Sequence, residues 1–252
     1  MTGRVALVTG AGRGIGRATA VALADAGERV MAVARTREEL ESLAGEAPVE
    51  YLVESVATQE GCERIVAETR ERMGPISILV NNAGIGSYHE RPIWEQDPAI
   101  WRESLAVNLD AAFHLIRLSV PDMTAAGWGR IVVVSSTSGQ VGGPGISAYT
   151  AAKHGVLGLM RSVAQDVIPF GVTCNAVLPG WVKTAMSDAD VAMEAERTSR
   201  TPEEVWDAHA REYAAGRIPT TGEIAAVIAF LASDPASGVN AEAITVALGG
   251  LW

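Results

Sequence analysis

The chain has 252 residues, 48% of them apolar and 20% charged, with a formal net charge of −10. That size and balance suit one soluble α/β domain, and the acidic excess argues against nucleic acid or an anionic membrane as partner, since both need clustered Lys and Arg. The opening MTGRVALVTG turns polar too soon for a signal peptide and no apolar run is long enough to span a bilayer, so the cytoplasm is the expected compartment.

Short β-branched runs alternate with helical patterns along the chain. Residues 4–9 (RVALVT) predict a buried strand, and 14–27 a helix with Ala and Val at helical spacing, ending on a glycine that suits a left-handed cap. A strand is expected at 29–34, a charged helix at 37–43, a strand at 49–54 and a helix at 59–73. Residues 77–80 form the fourth strand and lead into Asn81. Residues 98–126 read as helix with a break. The most apolar strand, 130–135 (RIVVVS), precedes one long helix at 147–170 and a strand at 172–178. Residues 183–216 are charged, with little strand character, and predict short helices; a helix at 222–232 and a last strand at 243–247 follow. This order predicts a parallel sheet with helices on both faces, doubly wound by right-handed crossovers. No linker, low-complexity tract or repeat interrupts it, so residues 1–252 are expected to form a single Rossmann-type domain.

The first strand runs into Thr9-Gly10-Ala11-Gly12-Arg13-Gly14-Ile15-Gly16. A glycine-rich turn lets backbone approach a pyrophosphate, and the following helix offers free N–H groups and a positive dipole end. Glycines alone often serve only tight turns; the strand-turn-helix context is what raises this one. The spacing resembles the T-G-x-x-x-G-x-G pattern of the short-chain dehydrogenase/reductase family. Further motifs carry the resemblance in the family's order. Asn81-Asn82-Ala83-Gly84 follows the fourth strand, Asn108 lies in Val107-Asn108-Leu109, and Tyr149-Thr150-Ala151-Ala152-Lys153 matches Y-x-x-x-K. Ser136 stands 13 residues before the tyrosine, and Pro179-Gly180-Trp181-Val182-Lys183-Thr184 matches P-G-x-x-x-T. Phe230-Leu231-Ala232-Ser233-Asp234 and Gly249-Gly250 extend the likeness towards the C-terminus.

The resemblance implies an oxidoreductase that moves a hydride between a nicotinamide cofactor and a ketone or secondary alcohol. Tyr149 and Lys153, four apart, share one helix face. An ammonium beside a phenol favours phenolate and brings a pKa of about 10 towards the useful range. Taken alone, a Tyr and a Lys at this spacing would be an ordinary amphipathic helix. With Asn108 and Ser136 the resemblance makes them catalytic: Ser136 bonding the substrate oxygen, Asn108 holding a water that links Lys153 to solvent. Ser138 competes with Ser136 for the substrate, although hydroxyls at a strand end often satisfy only backbone. The cofactor set implied is Gly10, Arg13, Gly14, Ile15 and Gly16 at the pyrophosphate, Arg35, Ser55 and Val56 at the adenosine, and Asn82, Ala83 and Gly84 along its ribose. Tyr149, Lys153, Pro179, Gly180, Val182 and Thr184 complete it at the nicotinamide end. Trp181 is placed to touch substrate, and residues 183–216 are the expected substrate segment.

NADP(H) is expected over NAD(H). NAD-type members carry an Asp at the end of the second strand, which bonds the ribose and repels a 2′-phosphate. Here Ala34 stands there, Arg35 follows, and Arg13 can reach the same phosphate, although either could be a solvated arginine. The family's acidic residue near adenine is replaced by Ser55, a common glycine before the last strand by Asn240-Ala241, and an Asp before the final glycines by Ala247-Leu248. These departures resemble bacterial ketoreductases of polyketide or acyl chains, so a 3-oxoacyl- or polyketide-like ketone is the leading substrate. An alcohol dehydrogenase of a sugar, terpenoid or steroid hydroxyl is the alternative. A non-catalytic dinucleotide sensor ranks lower, because such proteins usually lack the tyrosine or the lysine.

Other residues get blander readings. Cys62 and Cys174 lie far apart with no ligand spacing, and no metal site is expected. His89, His114, His154 and His209 show no ligand spacing either. Tyr88 and His89 either border the substrate or sit on a solvated loop. Trp94 and Trp101 suit core or interface packing. Trp252 suits a subunit contact, and the resemblance implies a homotetramer built partly from the helices at 98–126 and 147–170.

Overall fold

A computed structural model of the chain describes residues 3–86 and 91–250; Tyr88, His89 and Trp252 lie outside them. Among the described residues one parallel sheet of seven strands runs in the order β3-β2-β1-β4-β5-β6-β7. The first half contains β1 (Val5–Thr9), α1 (Gly14–Asp25), β2 (Arg29–Ala34), α2 (Arg37–Glu46), β3 (Val49–Val53), α3 (Gln59–Met73) and β4 (Ile76–Asn81). The second contains α4 (Pro98–Leu105), α5 (Ala111–Ala126), β5 (Gly129–Val134), α6 (Ser147–Val167), β6 (Val172–Pro179), α7 (Ala185–Thr198), α8 (Pro202–Arg211), α9 (Thr221–Leu231) and β7 (Ala243–Val246). Strand order reverses between β1 and β4. In doubly wound sheets a crevice opens at such a point beyond the C-terminal strand ends, and ligands bind there.

The core divides as a sheet covered on both sides demands. Leu7, Met31, Leu79 and Ile131 pack one face against α3, α5 and α6, while Ala6, Val8, Ile78 and Val132 pack the other against α1 and α9. Every residue of β1 and β5 is buried, which explains their unbroken apolar runs.

The expected break in 98–126 is a π-helical stretch, Ala106–Asp110, with Asn108 at its centre. The widened turn re-aims a side chain within a continuous helical rod, a device frequent at functional sites. Other boundaries need small corrections. The first strand begins at Val5, α2 runs to Glu46, β3 stops at Val53 and β5 at Val134, so Ser135 lies beyond its strand. The long helix stops being α-helical at Val167, and Ile168–Phe170 form a 3-10 turn around Pro169, which has no N–H to continue the ladder. Trp94 and Trp101 share no helix: Asp97 caps α4 at Pro98, leaving Trp94 80% exposed on a separate 3-10 turn, so core packing does not hold for it.

Candidate active site

A cavity of about 520 Å³ lies at the C-terminal ends of the strands, bordered by the ends of β1, β2, β4, β5 and β6. At one end is the glycine turn. Gly10 and Gly14 have φ of +65° and +59°, which other residues rarely adopt. Arg13 precedes α1 in extended conformation and gives its first turn no side-chain acceptor. The first N–H groups of α1 therefore remain available to a phosphate. Gly10, Arg13, Gly14 and Ile15 line the cavity; Gly16 is set behind it, where a Cβ would lie 2.2 Å from the Gly10 carbonyl oxygen. Its role is close packing of helix on turn, not a cavity wall.

Thr9 ties this turn to the β4 end. Its hydroxyl oxygen accepts from the N–H groups of Asn82 and Ala83, both at 3.1 Å, while Asn82 Nδ2 donates to Thr9 O at 2.9 Å and Gly10 O at 3.2 Å. Asn82, Ala83 and Gly84 follow as cavity lining. A Cβ on Gly84 would fall 2.9 Å from Asn108 Oδ1, so only glycine lets this strand end approach the π-helical turn.

At the other end four side chains converge. Asn108 is buried; its Oδ1 accepts from Ile85 N and its Nδ2 donates to Ile85 O, each at 3.2 Å. Lys153, 5% exposed, donates from Nζ to Val134 O at 3.0 Å and stands 5.6 Å from the centre of the Tyr149 ring. Burial pushes its pKa from 10.5 down to about 8. Ser136 lies across from them at the end of β5, its hydroxyl oxygen accepting from Ser138 N at 3.1 Å. Ser135 points elsewhere, donating to Lys153 O at 3.0 Å. Ser136, Ser138, Tyr149 and Lys153 all line the cavity, with Asn108 beside them. Pro179, Gly180, Trp181, Val182 and Thr184 border it from the β6 end, and Thr184 also caps α7.

Arg35, Ser55 and Val56 line the cavity beyond the ends of β2 and β3. The Ser55 hydroxyl oxygen is used in its own turn, accepting from Ala57 N at 3.2 Å, and Glu54 beside it also lines the cavity. Glu39, on the first turn of α2, faces Arg13 at 3.5 Å. Arg13 is thus paired with a carboxylate, a partner that the sequence reading did not name.

The short chain dehydrogenase profile matches residues 4–195. The chain belongs to that family. It is 33% identical to the 3-oxoacyl-(acyl-carrier-protein) reductase of Haemophilus influenzae, over 100% of this chain and 99% of the relative. An acetoacetyl-CoA reductase of Rhizobium meliloti is 36% identical, with 96% of each chain covered. Among solved structures, an actinorhodin polyketide ketoreductase variant with NADPH superposes with a TM-score of 0.91 at 32% identity, covering 99% of this chain and 98% of that one. This chain is therefore an oxidoreductase of the short-chain dehydrogenase family.

Several cavity residues escaped the motif reading. Glu39 sits beside Gly12 and Arg13, and Val141, Ile146, Met186 and Asp190 line the end near Tyr149. None belongs to a fixed motif; Glu39 alone had a signal, an acid four residues after Arg35. Among the described residues no group of three or more His, Cys, Asp or Glu could hold a metal. Nor is any helix there long and apolar enough to cross a membrane.

Proposed function

We propose that the chain reduces a ketone to a secondary alcohol with NADPH, using Tyr149 as proton donor. The observation that carries this is the convergence of Tyr149, Lys153, Ser136 and Asn108 on the same cavity as the glycine turn. When bound, the nicotinamide cofactor supplies the hydride that adds to the carbonyl carbon. Tyr149 and Ser136 receive the carbonyl oxygen between their hydroxyls. Ser136 donates a hydrogen bond where negative charge grows, and the Tyr149 proton passes to that oxygen. The Lys153 ammonium favours the phenolate left behind, and Asn108 keeps the route from Lys153 towards solvent in register.

The residues present fit the cofactor. A phosphate suits the open first turn of α1, and Ala34 leaves no acid at the end of β2. Arg35 is exposed beside it and, among the described residues, makes no ion pair, so it supplies the charge that favours NADP(H). The Arg13–Glu39 pair opposes this only weakly, since exposed pairs contribute about 0–1 kcal/mol. Val141, Ile146, Met186 and Trp181 give the substrate end an apolar wall, which suits a 3-oxoacyl- or polyketide-like ketone.

The chain acts as one dinucleotide-binding domain, with α7 and α8 as the substrate cover. Its two free thiols are buried, which suits the reducing cytoplasm. Trp101 and Phe113 are 38% and 47% exposed on α4 and α5, as a homotetramer interface there requires; light scattering should report four chains. A panel of 3-oxo esters, cyclic ketones and secondary alcohols, with cofactor absorbance followed, tests the activity. Ketone-dependent oxidation of NADPH is expected. No turnover of any ketone or alcohol contradicts it.

A further inference from the structure

His209 takes no part in the chemistry above, yet it is 9% exposed and densely contacted. It sits in the last turn of α8. Its ring stacks on Trp181 with centroids 4.1 Å apart and planes 21° apart. Trp206 meets both rings edge-on, at 5.9 Å from Trp181 and 6.4 Å from His209. The imidazole is fixed from behind. Its Nε2 is 3.0 Å from Glu194 Oε2 on α7, and a carboxylate oxygen can only accept, so Nε2 carries the hydrogen. The other Glu194 oxygen accepts from Arg200 Nη2 at 2.6 Å, which closes the turn between the two helices. Trp181 N–H donates to the buried Tyr213 hydroxyl, pinning the backbone of the same residue.

Of the three rings, only Trp181 lines the cavity. His209 therefore does not touch substrate; it can act only by setting where the indole stands. Behind these rings the cover has a minor core of Val191, Ala195 and Val205. With so few buried side chains, the stack is a main determinant of the indole's position.

We propose that His209 is a positioning residue that makes Trp181 a rigid, flat wall and so selects ring-bearing ketones over flexible straight-chain ones. The inference rests on the ketone-reductase reading and narrows its substrate class. A fixed indole gives a planar substrate an offset or edge-on partner. A flexible chain gains less from a flat wall and loses more rotamer freedom on ordering.

The test is a double-mutant cycle of His209→Ala and Trp181→Ala, with steady-state kinetics on a cyclic ketone and a straight-chain 3-oxo ester and direct titration of NADPH. His209→Ala should raise KM for the cyclic ketone roughly two- to tenfold, the range of one aromatic contact. The kcat, the NADPH Kd and the KM for the straight-chain ester should change little. In the Trp181→Ala background the same substitution should add nothing. If His209→Ala does not fold, Glu194→Gln loosens the imidazole from behind and should shift KM in the same direction by less. Unchanged KM, an equal rise for both ketones, or additive effects overturn the proposal. A wild-type chain that reduces neither ketone contradicts the reductase reading itself, and the positioning role with it.

Discussion

Asn108, Ser136 and Lys153 are held by the sheet and its flanking helices, whereas Trp181, Met186 and Asp190 belong to a connection that leaves the end of β6. The first group is fixed by backbone. Lys153 bonds the last residue of β5, Asn108 bonds both polar groups of Ile85, and Ser136 takes a neighbouring N–H. The second is fixed by side chains: α7 and α8 each start with a capping box, and a small aromatic cluster joins them. Backbone acceptors in a central sheet do not move when side chains change. A cover held by side chains can be re-sculpted without disturbing the proton-transfer geometry. In the function proposed for this cavity, the difference would separate what fixes the reaction from what fixes the substrate.

The sharpest way to break that division is at Tyr149. Tyr149→Phe should lower turnover roughly 10²–10⁴-fold, the usual contribution of a general acid, while NADPH binding by titration stays nearly intact. A variant retaining near-wild-type turnover removes Tyr149 as the proton donor.

At the adenosine end, Arg35→Ala should weaken NADPH binding roughly ten- to hundredfold, the worth of a charged hydrogen bond, and NADH much less. Equal losses for both cofactors, read from titrations of each, contradict the assignment of Arg35 to the 2′-phosphate.

Lys153 sharpens the comparison through stability. Its pKa is about 8 in the fold and 10.5 when exposed, so the buried ammonium costs about 3 kcal/mol below pH 8. Between these values the unfolded chain binds more protons, and stability rises with pH. Lys153→Met should be inactive yet more stable without cofactor at neutral pH by about 2 kcal/mol, the lost bond to Val134 O offsetting about 1. The gain should fade from pH 8 to 10.5. Denaturant titrations showing a less stable variant, or a gain independent of pH, contradict it.

The smallest expected effect lies far from the chemistry. Ala241 has φ of +64°, within the Asn240-Ala241 pair that the family resemblance set against a glycine. Left-handed backbone costs an L-residue about 1–2 kcal/mol, part of which glycine returns as unfolded-state entropy. Ala241→Gly should stabilise the fold by about 0.5–1 kcal/mol with unchanged kinetics. A loss of stability indicates that the Asn240–Ala241 turn is not strained.

The sheet and the motif residues were legible because both are local. Strand β2 and helix α3 end where the β-branched and helical patterns end, and the break read in 98–126 is the π-turn that carries Asn108. Glu39 against Arg13 and His209 against Trp181 were not legible. α1 and β2 separate Arg13 from Glu39 and α7 separates Trp181 from His209, and only tertiary placement brings each pair together. The absence of ligand spacing at His209 gave no hint of its stacking on Trp181. The Asn240-Ala241 pair was visible as a departure from the family pattern, but the positive φ of Ala241 was not.

The central claim is a hydride delivered to a ketone carbon in this cavity. It is tested most directly with NADPH carrying deuterium at the transferable position of the nicotinamide, wild-type enzyme and an excess of cyclic ketone, with the product alcohol read by mass spectrometry and NMR. One deuterium is expected on the carbinol carbon for each NADPH consumed. An alcohol without deuterium at that carbon, or NADPH consumption that forms no alcohol, contradicts it.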